Sequence, residues 1–232
     1  MHAEDRIIHF STELIHRPVP YKKEALQKLY FDLSQTRCAY DSTDFTNPAQ
    51  VKFYSRRGPR TQSLAIFLPD RVLLVEEWTD ISLNEFLDKI REFAPRVLDV
   101  RGVPSFGMHA ATIRSTFALS AQHTDGRNFL LDTVCGQAGK VTPFFRRPLA
   151  KAGLSFSFPH TNDDPGNYTV MIEPFMHSLN EMYIEVKGVF GPPVIDRENI
   201  ATLTDNVRAV RQFISERAFP YLNQYDLPSS VD

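Results

Sequence analysis

Apolar and polar positions along the chain alternate in short runs that twice give way to a helical stripe. Around residues 62 to 98, Ser63-Leu64-Ala65-Ile66-Phe67-Leu68 and Val72-Leu73-Leu74-Val75 flank the turn Pro69-Asp70-Arg71, and an amphipathic segment follows. Around residues 167 to 218, Tyr168-Thr169-Val170-Met171-Ile172 and Met182-Tyr183-Ile184-Glu185-Val186 lead, past Pro192-Pro193, into a longer amphipathic segment. Runs rich in β-branched and aromatic residues and bounded by turn residues predict strands. Their recurrence predicts a strand-turn-strand-helix unit used twice.

The helical stripes carry their own boundaries. Ser82 and Glu85 have the S-x-x-E spacing of a capping box, in which the hydroxyl accepts from the third helical amide and the carboxylate reaches back. Phe86, Leu87, Ile90 and Phe93 then share a face, and Pro95, which cannot donate a backbone hydrogen bond, predicts a perturbed end. In the second unit Ile200, Leu203, Val207, Val210, Phe213 and Ile214 predict a helix over about 196 to 218. Pro220 and the polar tail Leu227-Pro228-Ser229-Ser230 are expected to end the fold.

Leu26, Leu29, Tyr30 and Leu33 predict a short helix over 21 to 33, after Pro18 and Pro20. Residues 39 to 49, polar and closing on Pro48, predict a loop, and Val51, Phe53 and Ser55 a strand. Residues 104 to 119 and 128 to 135 predict two more strands joined through His123-Thr124-Asp125-Gly126-Arg127. The Gly- and Pro-rich stretch from Gly136 to Pro165 predicts an elaborated loop or a seam, with a short helix near 143 to 151. Together these elements predict an α+β fold, an antiparallel sheet with helices packed against it. Its parts are two pseudo-duplicated halves, 1 to 100 and 101 to 232, or one continuous domain.

With 232 residues, 42% of them hydrophobic, the chain has ample core material. Its 26 basic and 28 acidic side chains leave a net charge of -2, so no global field favours nucleic acid or an anionic membrane. Cys38 and Cys135 lack metal-ligand spacing and read as reduced buried thiols. The opening Met1-His2-Ala3-Glu4-Asp5-Arg6 mixes charges without a signal-peptide core, and no apolar run approaches the roughly 20 residues of a membrane span. The expected compartment is the cytoplasm.

Candidate chemistry is sparse. The histidines form no HExxH or Cys/His zinc pattern, and Gly136-Gln137-Ala138-Gly139-Lys140 lacks P-loop spacing. His160, Asp163 and Asp164 bring an imidazole and two carboxylates together in a loop, as a metal or acid/base site requires, although Asn162-Asp163-Asp164-Pro165-Gly166 is equally turn chemistry. His109 shares a strand face with Ala111 and Ile113, either lining a cleft or as a satisfied histidine. Glu173 and Glu185 on the second hairpin, and Glu76 and Glu77 at the end of the first, are candidate paired carboxylates. Arg56, Arg57 and Arg60 near Phe53 and Tyr54, and Arg146 and Arg147 after Phe144-Phe145, combine cations with aromatics as a phosphate- or base-binding surface does.

The order of landmarks resembles a sporadically distributed, functionally uncharacterised bacterial family of roughly this length. The resemblance rests on Pro18-Val19-Pro20, the Leu68-Pro69-Asp70-Arg71-Val72 hairpin, Phe106-Gly107-Met108 and a C-terminal amphipathic helix with Phe213 and Phe219. Where that family places an arginine and an aromatic after the glycine, this chain has His109 and Ala110. The resemblance implies no reaction and no site residue.

Abundant scaffold features without a reaction motif point to a non-catalytic binding or assembly protein, holding a protein partner or a second copy of itself on a sheet face or in a cleft between halves. The alternatives are a small-molecule-binding enzyme, such as a metal-assisted hydrolase drawing on His109, His160, Asp163, Asp164 and Glu173, and a nucleic-acid-associated factor using the arginines. No cofactor is indicated.

Overall fold

A computed structural model of the chain describes residues 5–20, 22–47 and 49–226. The expectations that fall on Met1–Glu4, Tyr21, Pro48 and the tail from Leu227 lie outside these residues. The fold is α+β: nine strands form one antiparallel sheet, with helices packed on it. The strands are β1 (Asp5–Ile15), β2 (Ser42–Asp44), β3 (Val51–Arg56), β4 (Gln62–Phe67), β5 (Arg71–Glu77), β6 (Met108–Ala118), β7 (Leu154–Phe158), β8 (Gly166–Pro174) and β9 (Glu181–Phe190). Their order across the sheet is β2-β3-β4-β5-β1-β6-β9-β8-β7. From the central β1–β6 pair the order runs outward through β5, β4, β3 and β2 on one side and β9, β8 and β7 on the other.

Period-two burial decides which side of the sheet each residue joins. Phe10, Leu14, Phe53, Phe67, Val72, Leu74, Ile113, Phe117, Val170, Ile184 and Val186 are buried and point to one face. The helices α1 (Lys23–Ser34), α2 (Leu83–Arg101), α5 (Thr202–Phe213) and α6 (Phe219–Asp226) cover that face. Phe86 of α2 stacks on Phe10 at 5.1 Å, Phe213 of α5 stacks on Tyr168 at 4.3 Å, and Phe219 of α6 meets Phe117 at 5.6 Å. Gly188 makes the closest approach possible: a Cβ there would stand 2.6 Å from Val210 of α5.

The capping box forms. Ser82 Oγ accepts from the Glu85 amide at 3.2 Å, and Glu85 accepts from the Ser82 amide at 2.7 Å. Replacing Ser82 by Ala is expected to cost about 1 kcal/mol of stability, read as a lower denaturant midpoint at unchanged slope.

Several elements correct the sequence reading. Residues 128 to 135 are not a strand: α3 (Gly126–Asn128) starts on the Asp125 side chain, which accepts from Arg127 N at 2.8 Å, and continues as a π-helical turn, Phe129–Val134. Phe129 and Leu130 are buried there, so a short apolar run serves a helical turn instead of a sheet. Pro95 does not end α2, which runs on to Arg101 and stops where Gly102 takes φ +61°. The buried face formed by Phe93, Ala94, Val97 and Leu98 holds the helix together through the proline. Pro220 likewise lies inside the C-terminal helical stretch, which passes through the π-helical turn Ile214–Ala218 into α6. The π-helical turn just before it already departs from the regular α-helical ladder, which is where a missing amide hydrogen can be accommodated. The short helix of the irregular segment is α4 (Val141–Phe145), and β1, β2 and β7 are strands with no counterpart in the sequence reading.

Candidate functional site

The second face of the sheet is a polar mosaic laid out by register. One cross-strand row runs Arg56, Gln62, Glu77, His9, Arg114, Glu185, Met171, Ser155. The next runs Tyr54, Leu64, Val75, Ser11, Thr112, Lys187, Thr169, Ser157, and a third runs Lys52, Ile66, Leu73, Glu13, Ala110, Val189, Asn167. Ion pairs cross the strands within and between these rows. Glu13 accepts from Arg71 at 3.1 Å and from Lys187 at 3.0 Å; Arg114 reaches Glu185 at 2.6 Å and Glu77 at 3.6 Å. Arg71, Arg114 and Lys187 stay 36%, 33% and 41% exposed, so the lattice faces solvent. Tyr183 donates to Glu185 at 2.9 Å, and its pKa is raised by burial and the neighbouring carboxylate.

At the margin of this face, Trp78 follows β5 with φ +47°, a left-handed conformation that a bulky side chain rarely adopts. Its ring lies 6.2 Å from Phe175 and 5.5 Å from His177, and the Arg60 guanidinium stands 5.2 Å over it. Within the same row, His9 is buried with its Nδ1 3.9 Å from Glu77. Burial, with the Arg114 charge adding to it, lowers the His9 pKa to about 3, so the ring is neutral.

On the helix-covered face, a polar cluster borders a cavity of about 380 Å³. Lys89 of α2 donates to Glu76 Oε1 at 2.6 Å and to Ser63 Oγ at 2.5 Å; Ser63 donates to the same carboxylate at 2.8 Å. Arg57 reaches the other Glu76 oxygen at 3.0 Å. Burial disfavours the Lys89 ammonium, yet Tyr40 and Glu76 outweigh it and its pKa is raised. A lysine held protonated is no base for Ser63. Cys38, also on the cavity wall, donates its thiol to Glu92 at 3.2 Å, and burial followed by that carboxylate pushes its pKa up to about 12. Hence neither oxygen nor sulfur here is activated as a nucleophile.

No family model matches the chain, and a search of the curated proteins finds no match.

The structure separates the candidates named from sequence. His109 is wholly buried between β1, β6 and α5. Asn206 Nδ2 donates to its Nδ1 at 3.0 Å, so Nε2 carries the hydrogen and donates to Thr12 Oγ1 at 2.5 Å. His160, Asp163 and Asp164 lie in the exposed loop before β8. There Asp164 is spent on the turn: it accepts from Gly166 N at 2.9 Å and from Tyr168 Oη at 3.1 Å, while Thr161 N donates to its carbonyl at 2.8 Å. Glu173 stands near the other end of β8, about 23 Å from Gly166 at strand rise, and pairs with Lys151 at 2.6 Å. Among the described residues no group of three His, Cys, Asp or Glu side chains is placed to hold a metal ion.

The arginines also part company. Arg57 turns to Glu76 and to Asp80 at 3.1 Å, Arg60 to Trp78, and Arg56 to the rim of the polar face opposite Gln62. Phe53 is in the core, unable to stack on a base, and Arg146 and Arg147 follow the exposed Phe144 and Phe145 of α4. The rows of the polar face and the Lys89 cluster were missed from sequence; cross-strand pairing, which no local pattern encodes, brings both together. Among the described residues no helix is long and apolar enough to cross a membrane.

Proposed function

We propose that the chain is a non-catalytic binding or assembly protein whose polar sheet face holds a protein partner. The observation that carries this reading is the charge lattice on that face. Lys52, Arg56, Arg71, Arg114 and Lys187 are interspersed with Asp44, Glu13, Glu77, Glu173 and Glu185, and Leu64, Ile66, Leu73 and Val189 fill the spaces between. A nucleic-acid surface concentrates cations to neutralise phosphate, whereas mixed signs around apolar patches suit another protein. Trp78, held in its unusual backbone conformation at the rim, is an aromatic of the kind that anchors such contacts. On each side of the β1–β6 pair the three nearest strands run in reverse chain order, β5, β4, β3 and β9, β8, β7, with β2 an extra edge strand on the first side, an arrangement that supports the pseudo-duplicated reading of the two halves. The inert states of Cys38 and Ser63 favour binding over catalysis.

The test uses the tagged protein recovered from its native lysate. Thr112→Arg places a bulky charge in the middle of the face, and Glu24→Arg changes the exposed side of α1 as a control. A protein retained by the wild type and by Glu24→Arg should be lost by roughly tenfold or more with Thr112→Arg. Recovery of nuclease-sensitive material instead, retention unaffected by Thr112→Arg, or no retained protein would overturn the proposal.

A further inference from the structure

The two edges of the sheet are protected differently. Unpaired edge strands invite pairing with another chain, and proteins blunt them with charge, proline or brevity. β2 is three residues long and carries Asp44, so its edge is short and charged. β7, Leu-Ser-Phe-Ser-Phe over Leu154–Phe158, carries no charge and no proline, and its described backbone pairs only with β8. Beside it lies an almost wholly apolar groove of about 490 Å³, between Phe156 and Phe158 of β7 and Phe213, Ala218 and Tyr221 of the C-terminal helices. Phe158 is 43% exposed at its mouth.

We propose that β7 is a homodimer interface, pairing antiparallel with β7 of a second copy about a two-fold axis at Phe156. The sequence of the strand specifies the occupant. In that register Leu154 meets Phe158 of the second copy, Phe156 meets Phe156 and Ser155 meets Ser157, so apolar faces apolar and hydroxyl faces hydroxyl at every position. A two-fold contact requires this self-complementarity, because the same patch must serve both partners. Leu154, Phe156 and Phe158 pair with Ile172, Val170 and Tyr168 and so share the groove side of the sheet. The second strand brings its own three apolar side chains to the open side of the groove. Five residues of ladder are short for a stable edge, and it is the buried Leu and Phe contacts that make the pair hold. This contact lies on the sheet edge, where Ser155 and Ser157 end two of the polar-face rows; Thr112→Arg, which blocks the middle of that face, is expected to leave the dimer intact, so the two proposals are tested separately.

The test is molecular mass by light scattering over a dilution series, with variants at the exposed serines. Ser155→Lys with Ser157→Lys sets lysine against lysine twice across the axis and is expected to weaken the dimer by roughly tenfold or more. Ser155→Lys with Ser157→Glu sets lysine against glutamate twice and is expected to restore it. Directly across on β8 both positions face uncharged neighbours, Met171 and Thr169, and the nearest β8 charge, Glu173 diagonal to position 155, meets the same lysine in both variants, so the comparison between them is unaffected. A wild type that is monomeric throughout, a double lysine variant that dimerises as well as wild type, or a lysine-glutamate variant that fails to recover would each overturn the proposal.

Discussion

Replacing Glu76 by Ala is expected to cost about 3–5 kcal/mol of stability, whereas replacing Lys89 by Met should cost markedly less. Glu76 is 2% exposed and is shared by Lys89, Ser63 and Arg57. Its removal strands the Lys89 ammonium, itself 11% exposed, without an anion. Removal of Lys89 leaves Glu76 with the Arg57 guanidinium at 3.0 Å and the Ser63 hydroxyl at 2.8 Å, so the remaining charge stays paired. The asymmetry is what separates a shared carboxylate from a simple pair, and denaturant titration of the two variants reads it directly.

The same variants differ in the sign of their pH response. In the wild type the Lys89 pKa is raised in the folded state, so its contribution is fully present below the unfolded value, about 10.4, and fades as pH climbs through the folded one. With Glu76 gone only Tyr40 is left to oppose burial, and Tyr40, whose own pKa is raised chiefly by burial, is a neutral phenol between pH 7 and 10, so burial prevails and the folded Lys89 pKa falls below the unfolded one. Stability of Glu76→Ala should therefore rise between pH 7 and 10 while that of the wild type does not. A Glu76→Ala variant that unfolds at the wild-type midpoint, or that shows no recovery at high pH, would refute the account.

How much of this was legible from sequence follows from which contacts are local. The β4-turn-β5 hairpin, the capping box at Ser82 and the stripe of α5 depend on neighbours within a few residues, and each stands in the structure near where its pattern places it. The central strand β1 was missed because its inward position Thr12, between Phe10 and Leu14, breaks the apolar alternation. That threonine is inward because His109, ninety-seven positions away, donates to it. β7 was missed for a related reason: five residues of Leu, Ser and Phe inside a Gly- and Pro-rich stretch carry too short a period to stand out.

The candidate site was less legible than the fold. Its groups sit on β1, β5, β6 and β9, strands whose neighbours in the sheet are distant in the chain, so register and not spacing makes Glu13 a bridge between Arg71 and Lys187. Conversely, the residues close in sequence, His160, Asp163 and Asp164, were gathered by turn chemistry alone. Glu76 was visible as a carboxylate at the end of a hairpin, but its burial under α2 required knowing that Lys89 lies above it.

The histidines give the chain an acid sensitivity well above the carboxylate range. Burial lowers the His109 pKa to about 3, and its neighbours Thr12, Asn206 and Phe190 bring no charge to it. His9 is lowered to about 3 by burial and then Arg114, against the weaker pull of Glu77 at 3.9 Å. In both cases the folded value lies below the unfolded one, about 6.5, so the unfolded chain binds more protons between them. Their stabilisation is complete above pH 6.5 and is lost progressively as pH falls toward 3. At pH 5 each ring has given up about 2 kcal/mol, so the pair lowers stability by about 4 kcal/mol relative to pH 7.5. His16, lowered chiefly by burial, adds a loss of the same sign. Carboxylates held below their usual range, such as Asp70 beside Arg71, begin to contribute only below about pH 5, which leaves the window from 7.5 to 5 to the histidines. His109→Gln keeps a donor for Thr12 but cannot titrate; it should lower stability at pH 7.5 and remove about 2 kcal/mol from the fall to pH 5. Denaturant unfolding at each pH measures both slopes. Equal slopes in the wild type and the variant would mean that His109 is already protonated in the native state, contrary to the donor and acceptor arrangement between Thr12 and Asn206.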